Sequence, residues 1–219
     1  MKDIPMFTTE YGIASLVLAE IPYRKEAYIR VVSVEEGQLS NLLAECVSFC
    51  RMVGAEIIYA AGHGDLETYP LQTSVVEMRG DARVDWEMVD NLFPVTEQTV
   101  ARWRQICNER MDGIDCAATL TGAAEKKILS SGGAYFVHRD GELIGTGWME
   151  EEKLLLICAA KPGMGERVMH TLMSLDEGGS ITLEVASTNQ RAIRLYERLG
   201  FIKTREITRW YRVFGETPL

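Results

Sequence analysis

Asn189, Ala192 and Tyr196 follow one another at spacings of three and four residues, in a stretch whose pattern predicts a helix from Asn189 to Leu199. Asn189 opens that helix and Gly200 closes it, where a left-handed residue is wanted. An amide and a phenol therefore share one face, near the carboxyl end of a strand predicted from Ile181 to Ala186. Upstream, Gly163-Met164-Gly165 separates an unbroken apolar run, Lys153 to Ala159, from an amphipathic helix predicted over Gly165 to Leu175. Backbone N–H groups in such a loop, at the positive end of a helix, are suited to a phosphate. Lys161 adds a point charge beside them, whereas Glu166 suits the helix dipole and opposes an anion.

Each of these residues has a plainer role. Asn189 reads equally as a helix cap, and an isolated helical tyrosine is usually a core residue. Glu184 faces either a pocket or the opposite helix layer, and Glu150, Glu151 and Glu152 read as a solvated turn. Cys158 has no His or Asp in its local pattern, so it reads as a core residue lining a cleft rather than a nucleophile. His138 and His170 fall in a hairpin and a helix, where packing roles suffice. The third spaced glycine of a dinucleotide-binding loop is missing, which argues against an oxidoreductase of that kind.

The elements that must position these groups follow from periodicity. Strands are predicted over Tyr11 to Glu20 and Ala27 to Val34, then a helix carrying Leu42, Leu43, Cys46, Val47, Cys50 and Val53, then a strand over Ala55 to Ala60. Ser74 to Met78 adds a strand, and Gly80-Asp81-Ala82-Arg83 reads as a turn that separates two domains. Beyond it come a strand over Trp86 to Val95, a helix capped by Thr96 with Val100, Trp103, Cys107 and Met111 inside, and a helix from Ala117 to Leu129. Ala134 to Val137 and Glu142 to Met149 flank Asp140-Gly141, a strong hairpin signal. Phe201 to Ile207 and Arg209 to Phe214 read as a last strand pair. The order strand, strand, helix, strand thus occurs twice, over 11 to 60 and over 142 to 186. The first copy replaces the Gly-x-Gly loop with Glu35-Glu36-Gly37-Gln38, whose carboxylates repel a phosphate.

The 219 residues, 47% apolar and 25% charged, suffice for a sizeable core, and the net charge of −9 argues against nucleic-acid or membrane-surface binding. Five cysteines without a CxxC pair suggest neither a disulfide framework nor a metal site. With no apolar leader or spanning run, the expected location is cytoplasmic.

The set Val185, Asn189, Ala192, Leu195, Tyr196, Gly200 and Phe201 resembles the carboxy-terminal motif of the GCN5-related N-acetyltransferase (GNAT) superfamily. The resemblance is strongest over 134 to 214. The family's second hallmark is a Gln or Arg, two intervening residues and Gly-x-Gly or Gly-x-Ala. Here Ala160-Lys161-Pro162-Gly163-Met164-Gly165 occupies that place, with Ala160 where the Gln or Arg would stand and a shortened connection.

The resemblance implies an α/β (α+β) GNAT fold, a mixed central sheet flanked by helices, in residues 81–219. A smaller β-β-α-β unit, truncated GNAT-like or accessory, is expected over 1–80. It further implies acetyl-CoA as co-substrate, with the pantetheine arm between two strands that splay at a bulge. Backbone groups of Ile157, Cys158 and Ala159 would hold the arm, Lys161, Gly163, Met164, Gly165 and Glu166 would surround the pyrophosphate, and Asn189, Ala192 and Tyr196 would line the remainder. Fixed backbone dipoles suffice to polarise a thioester carbonyl. The implied activity is acetyl transfer to a small-molecule amine by direct attack, Tyr196 protonating the departing thiolate and Glu184 standing as candidate base. The missing Gln or Arg leaves an alternative, a noncatalytic acyl-CoA-binding sensor or interaction module. A built-in second unit is compatible with a monomer as well as a homodimer.

Overall fold

The computed structural model describes residues 5–81, 83–175 and 179–215. The protein has a mixed α/β architecture, and the chain divides into two compact units, Met1–Ser74 with Glu206–Leu219, and Val75–Arg205.

In the first unit β1 (Met6–Thr9) and β2 (Gly12–Val17) form a hairpin, and the short helix α1 (Ile21–Arg24) occupies the stretch that reads as a turn in the sequence. β2 runs antiparallel to β3 (Glu26–Val34), which crosses through α2 (Leu39–Met52) to the parallel strand β4 (Ile57–Ala61). Leu39, Leu42, Leu43, Cys46 and Cys50 form the buried stripe of α2 and pack with Ile29, Ile58 and Ala60. The chain leaves this unit along β5 (Leu71–Asp81).

The second unit holds β5, β6 (Asn91–Pro94), α3 (Val100–Met111), α4 (Gly122–Ser131), β7 (Ala134–Arg139), β8 (Glu142–Glu150), β9 (Lys153–Ala159), α5 (Gly165–Met173), β10 (Ser180–Ala186) and α6 (Gln190–Arg198). Its strands lie in the order β5, β10, β9, β8, β7, β6. Only β9 and β10 are parallel, and α5 is their crossover. Val168, Met169 and Leu172 of α5 cover one face of the sheet, while Trp103 and Cys107 of α3 and Ile128 of α4 cover the other. Gly145 and Gly147 let α5 approach β8, because a Cβ there would stand 2.5 Å from Val168 Cγ2 and 2.2 Å from Leu172 Cδ1. Asp140 (φ 52) and Gly141 (φ 79) take the left-handed pair of the expected hairpin.

Four sequence expectations are corrected. Gly80 and Asp81 are not a turn but strand residues paired with Ile181 and Ser180, and Ala82 of the same stretch lies outside the described residues. The glycine is there for space, since a Cβ at position 80 would come within 2.7 Å of the Phe201 ring. Within Trp86 to Val95 only Asn91–Pro94 is strand, because Asp85 caps a turn of 3₁₀ helix, Trp86–Met88. The helix expected from Ala117 begins at Gly122, because the Asn108 side chain engages both the N–H and the C=O of Leu120, each at 2.9 Å. Finally, Phe201 to Phe214 holds no turn. Ile202–Phe214 is the single strand β11, free of Gly and Pro. Its Thr204 and Arg205 bond Glu77 in the second unit, and its Tyr211 and Arg212 pair with Ala60 and Tyr59 in the first.

Candidate functional site

The site begins where two strands part. β9 and β10 pair at Lys153↔Thr182 and Leu154↔Leu183 and no further, although β9 runs on to Ala159 and β10 to Ala186. Against β8 the register slips between Leu154 and Leu156, and Leu155 and Leu156 pack into the same cluster, the mark of a bulge. Beyond it Thr146 faces Cys158, and the Ala160 N–H donates to Ile144 O at 2.8 Å. By the alternation of an antiparallel ladder, Cys158 turns its backbone toward β8, while Ile157 and Ala159 turn theirs toward β10, which has already diverged. Of the expected trio, two main-chain positions therefore address the cleft.

The larger of two cavities here, about 550 Å³, reaches from Ile157, Cys158 and Ala159 to the start of α5 at Gly163, Gly165 and Glu166. Gly163 adopts φ 82, and no hydrogen bond engages the N–H groups of Gly165, Glu166 or Arg167 among the described residues. These are the orphan donors of a helix start, with the positive end of its dipole behind them. Asn189, Ala192 and Tyr196 line the same cavity. Lys161 and Met164 do not. Lys161 pairs with Glu142, lowering that carboxyl below its ordinary range, and Met164 packs against the apolar cluster beneath α5.

Four arginines complete the lining, Arg110 from α3 and Arg191, Arg194 and Arg198 from α6. Sequence reasoning missed all four. The α6 trio carried a signal, since positions 191, 194 and 198 stand three and four apart on one helical face. Arg110 carried none, because its place depends on how α3 packs. It donates to Ala160 O at 2.6 Å, so a guanidinium stands over the loop position that has only a methyl side chain. No carboxylate pairs with any of the four among the described residues.

Tyr196 joins the two cavities. The smaller, about 200 Å³, lies between the parted strands and shares Ile114, Ile157, Asn189 and Tyr196 with the larger. Tyr196 is 6% exposed, and its hydroxyl makes no hydrogen bond to any described residue. Burial first, and the neighbouring Cys158 second, push the phenol well above its ordinary value, so it keeps its proton. Asn189 Oδ1 accepts from the Ala192 N–H at 3.2 Å, which makes it the helix cap while it lines both cavities. Glu184 lines the smaller cavity, which resolves its facing, and pairs with Lys153 at 2.6 Å. Asp115, in the loop after α3, is a second carboxylate in that lining, and sequence reasoning missed it too. Cys158 is buried with Cys107, which contacts Thr146 Oγ1 at 3.3 Å, and burial pushes the Cys107 thiol up. Among the described residues no group of three or more His, Cys, Asp or Glu is placed for a metal, and no helix is long and apolar enough to cross a membrane.

No protein-family profile matches the chain. Over 53 residues it is 38% identical to the N-alpha-acetyltransferase RimI of Mycobacterium tuberculosis, covering 24% of this chain and 34% of that protein, so the chain spans about a third of that curated relative. A GCN5-related N-acetyltransferase from Anabaena variabilis superposes with a TM-score of 0.62 at 9% identity, covering 96% of this chain and 58% of the other. One from Sphaerobacter thermophilus gives 0.55 at 11%, over 94% and 78%, and a functionally unknown conserved protein from Staphylococcus epidermidis gives 0.57 at 10%, over 96% and 93%. Parted parallel strands, the Asn189-to-Phe201 motif and these likenesses converge on the GNAT fold.

Proposed function

We propose that the protein is an acetyl-CoA-dependent N-acetyltransferase that acts on a small-molecule amine by direct attack. One observation carries this reading, a buried phenol with no hydrogen-bond partner among the described residues, at the junction of two cavities between parted strands.

The residues fit acetyl-CoA. Orphan N–H groups at the start of α5 suit a diphosphate, four arginines supply cationic charge, and the unpaired backbone of Ile157 and Ala159 suits the amides of an extended arm. Bound there, acetyl-CoA supplies the acyl group as a thioester. The N–H groups facing the cleft polarise its carbonyl, worth about 3 to 4 kcal/mol where such a donor is well aimed. Glu184, at the solvent side, takes one proton from the incoming ammonium and passes it to water. Tyr196 gives its hydroxyl proton to the sulfur as the C–S bond breaks, and regains one from the nitrogen as the new C–N bond forms. The net change converts an ammonium and a thioester to an amide, a thiol and one released proton.

The deciding experiment is thiol release from acetyl-CoA over an amine panel, wild type against Tyr196→Phe. The expected result is lost turnover with acetyl-CoA binding kept, and equal turnover in the variant removes Tyr196 from the chemistry. The sensor alternative rests on Ala160, and Arg110 at its carbonyl weakens that case. Acetyl-CoA binding without thiol release across the panel would restore it.

A further inference from the structure

The proposed transfer leaves one nucleophilic group of the site unused, the thiol of Cys158. Cys46 and Cys50 lie in the core of the first unit, Cys107 is buried without lining either cavity, and Cys116 lines only the smaller. Of the five cysteines only Cys158 lines the larger cavity, the one suited to CoA. Its backbone is turned to β8, opposite Thr146, and its side chain packs with Trp103 and Cys107 of α3. Arg110 and Ile114, from α3 and the loop after it, wall the same cavity, which therefore meets Cys158 on the face that carries the sulfur. Tyr196 lines the cavity with it, 6% exposed and without a hydrogen-bond partner for its hydroxyl among the described residues, the mark of a place left for a polar guest. Hydrogen bonding from the Cys107 thiol holds that of Cys158 below its ordinary value, while burial pushes Cys107 up. Of these two neighbouring sulfurs, the one at the cavity is thus the better nucleophile.

Resting on the acetyltransferase reading, which brings the sulfur of CoA to Tyr196, we propose that Cys158 is a site of oxidative modification by CoA itself, a mixed disulfide formed with the bound product thiol when a hydroperoxide is present. The hydroperoxide transfers one oxygen to the Cys158 sulfur, giving a sulfenic acid and, from hydrogen peroxide, water. The CoA sulfur then attacks that sulfur, the S–S bond forms, the S–O bond breaks, and the leaving hydroxide takes the CoA proton and departs as water. The two thiols together are oxidised to one disulfide, and one peroxide is reduced. Binding in the cavity raises the local concentration of this one thiol, so CoA is preferred to a small thiol in free solution. The adduct fills the place of acetyl-CoA and persists until a reductant reopens the bond.

The test mixes the protein with CoA and hydrogen peroxide and reads the intact mass and the cysteine peptides without reductant. The expected product carries CoA, less the hydrogens of the two thiols, on the peptide of Cys158. Dithiothreitol should reverse it, and until then it should not bind acetyl-CoA by calorimetry. Replacing CoA with 2-mercaptoethanol at the same concentration should lower the yield about tenfold or more, since nothing holds that thiol in place. Cys158→Ser should carry no adduct, with a thermal melt to show that it folds, and if it does not fold the peptide map of the wild type decides. An adduct on Cys116 or Cys107, an internal disulfide between Cys107 and Cys158, an equal yield from 2-mercaptoethanol, or no adduct in a protein that binds CoA each overturns the modification and leaves the acetyltransferase standing. An adduct on Cys158 without thiol release over the amine panel keeps the modification and overturns the enzyme. A protein that binds neither CoA nor acetyl-CoA overturns both.

Discussion

Arg110 donates to the carbonyl of Ala160 at 2.6 Å, bringing a cation from α3 to the loop that precedes α5. The sequence lacks a basic or amide side chain at that loop position, and the fold brings one from fifty residues away. Truncating it to Ala is expected to weaken acetyl-CoA binding about tenfold, the size of one charge-assisted contact. Replacing Arg191, Arg194 and Arg198 together should weaken it further and flatten its salt dependence between 50 and 300 mM added salt. Equilibrium titration at the two ionic strengths measures both effects, and an affinity independent of all four arginines would contradict the assignment.

The phenol of Tyr196 is held above its ordinary value of about 10, so the acid form persists as pH rises. An amine acceptor becomes reactive over the same range by losing its proton. The profile of kcat/KM should therefore climb from pH 6 toward pH 9.5 without a descending limb. A fall centred near pH 8 would point to a different acid.

How much of this was legible beforehand depended on the range of the interaction. Asn189, Tyr196 and Gly200 are set by spacing within one helix and its caps, and the Asp140-Gly141 hairpin by its own two backbone angles. Gly80 was misread because its requirement comes from Phe201, distant in sequence but adjacent in the fold. Arg110 and Asp115 escaped for the same reason, since both owe their place to the packing of α3 and the loop after it. Lys161 was legible as a cation, but the nearby Glu142 that engages it was not.

Gly80 and Phe201 offer a coupling experiment. Gly80→Ala should destabilise by about 1 to 3 kcal/mol, because the methyl meets a ring that is 2% exposed and cannot yield. Phe201→Ala should cost about 3 to 5 kcal/mol alone, and the double variant less than the sum. Urea denaturation of the four proteins measures the coupling, and strict additivity would mean that the ring moves aside freely.

Asp90 and Arg167 form a second long-range link, with Nε to Oδ2 at 2.8 Å and Nη2 to Oδ1 at 3.1 Å, both side chains largely buried. The pair ties the segment before β6 to α5. Asp90→Ala strands the guanidinium and is expected to cost about 3 to 5 kcal/mol, whereas replacing both residues with apolar ones should recover part of that. Thermal melts of the single and double variants test the order.

Alkaline pH should act on the first unit. Burial pushes the thiol of Cys46 up to about 12 and that of Cys50 up to about 11, against about 8.5 for a free cysteine. The folded state holds these protons more tightly than the unfolded chain. Their contribution is thus complete below about pH 8.5 and is lost progressively as pH rises toward 11 and 12. Cys46→Ala should show a shallower decline of stability between pH 8.5 and 11, measured by urea titration at each pH, and an identical slope would show that other groups govern it.

The pairing of β9 with β10 stops at Leu154 and Leu183, and its consequence is a matter of hydrogen bonds withheld. A sheet that leaves rungs out of its own ladder keeps donors and acceptors there that a molecule bringing amides would meet. Any such guest is received as though it were a length of polypeptide. The protein should then be most protected from amide exchange at Ile157 and Ala159 when it is occupied, its core finished by something it does not encode.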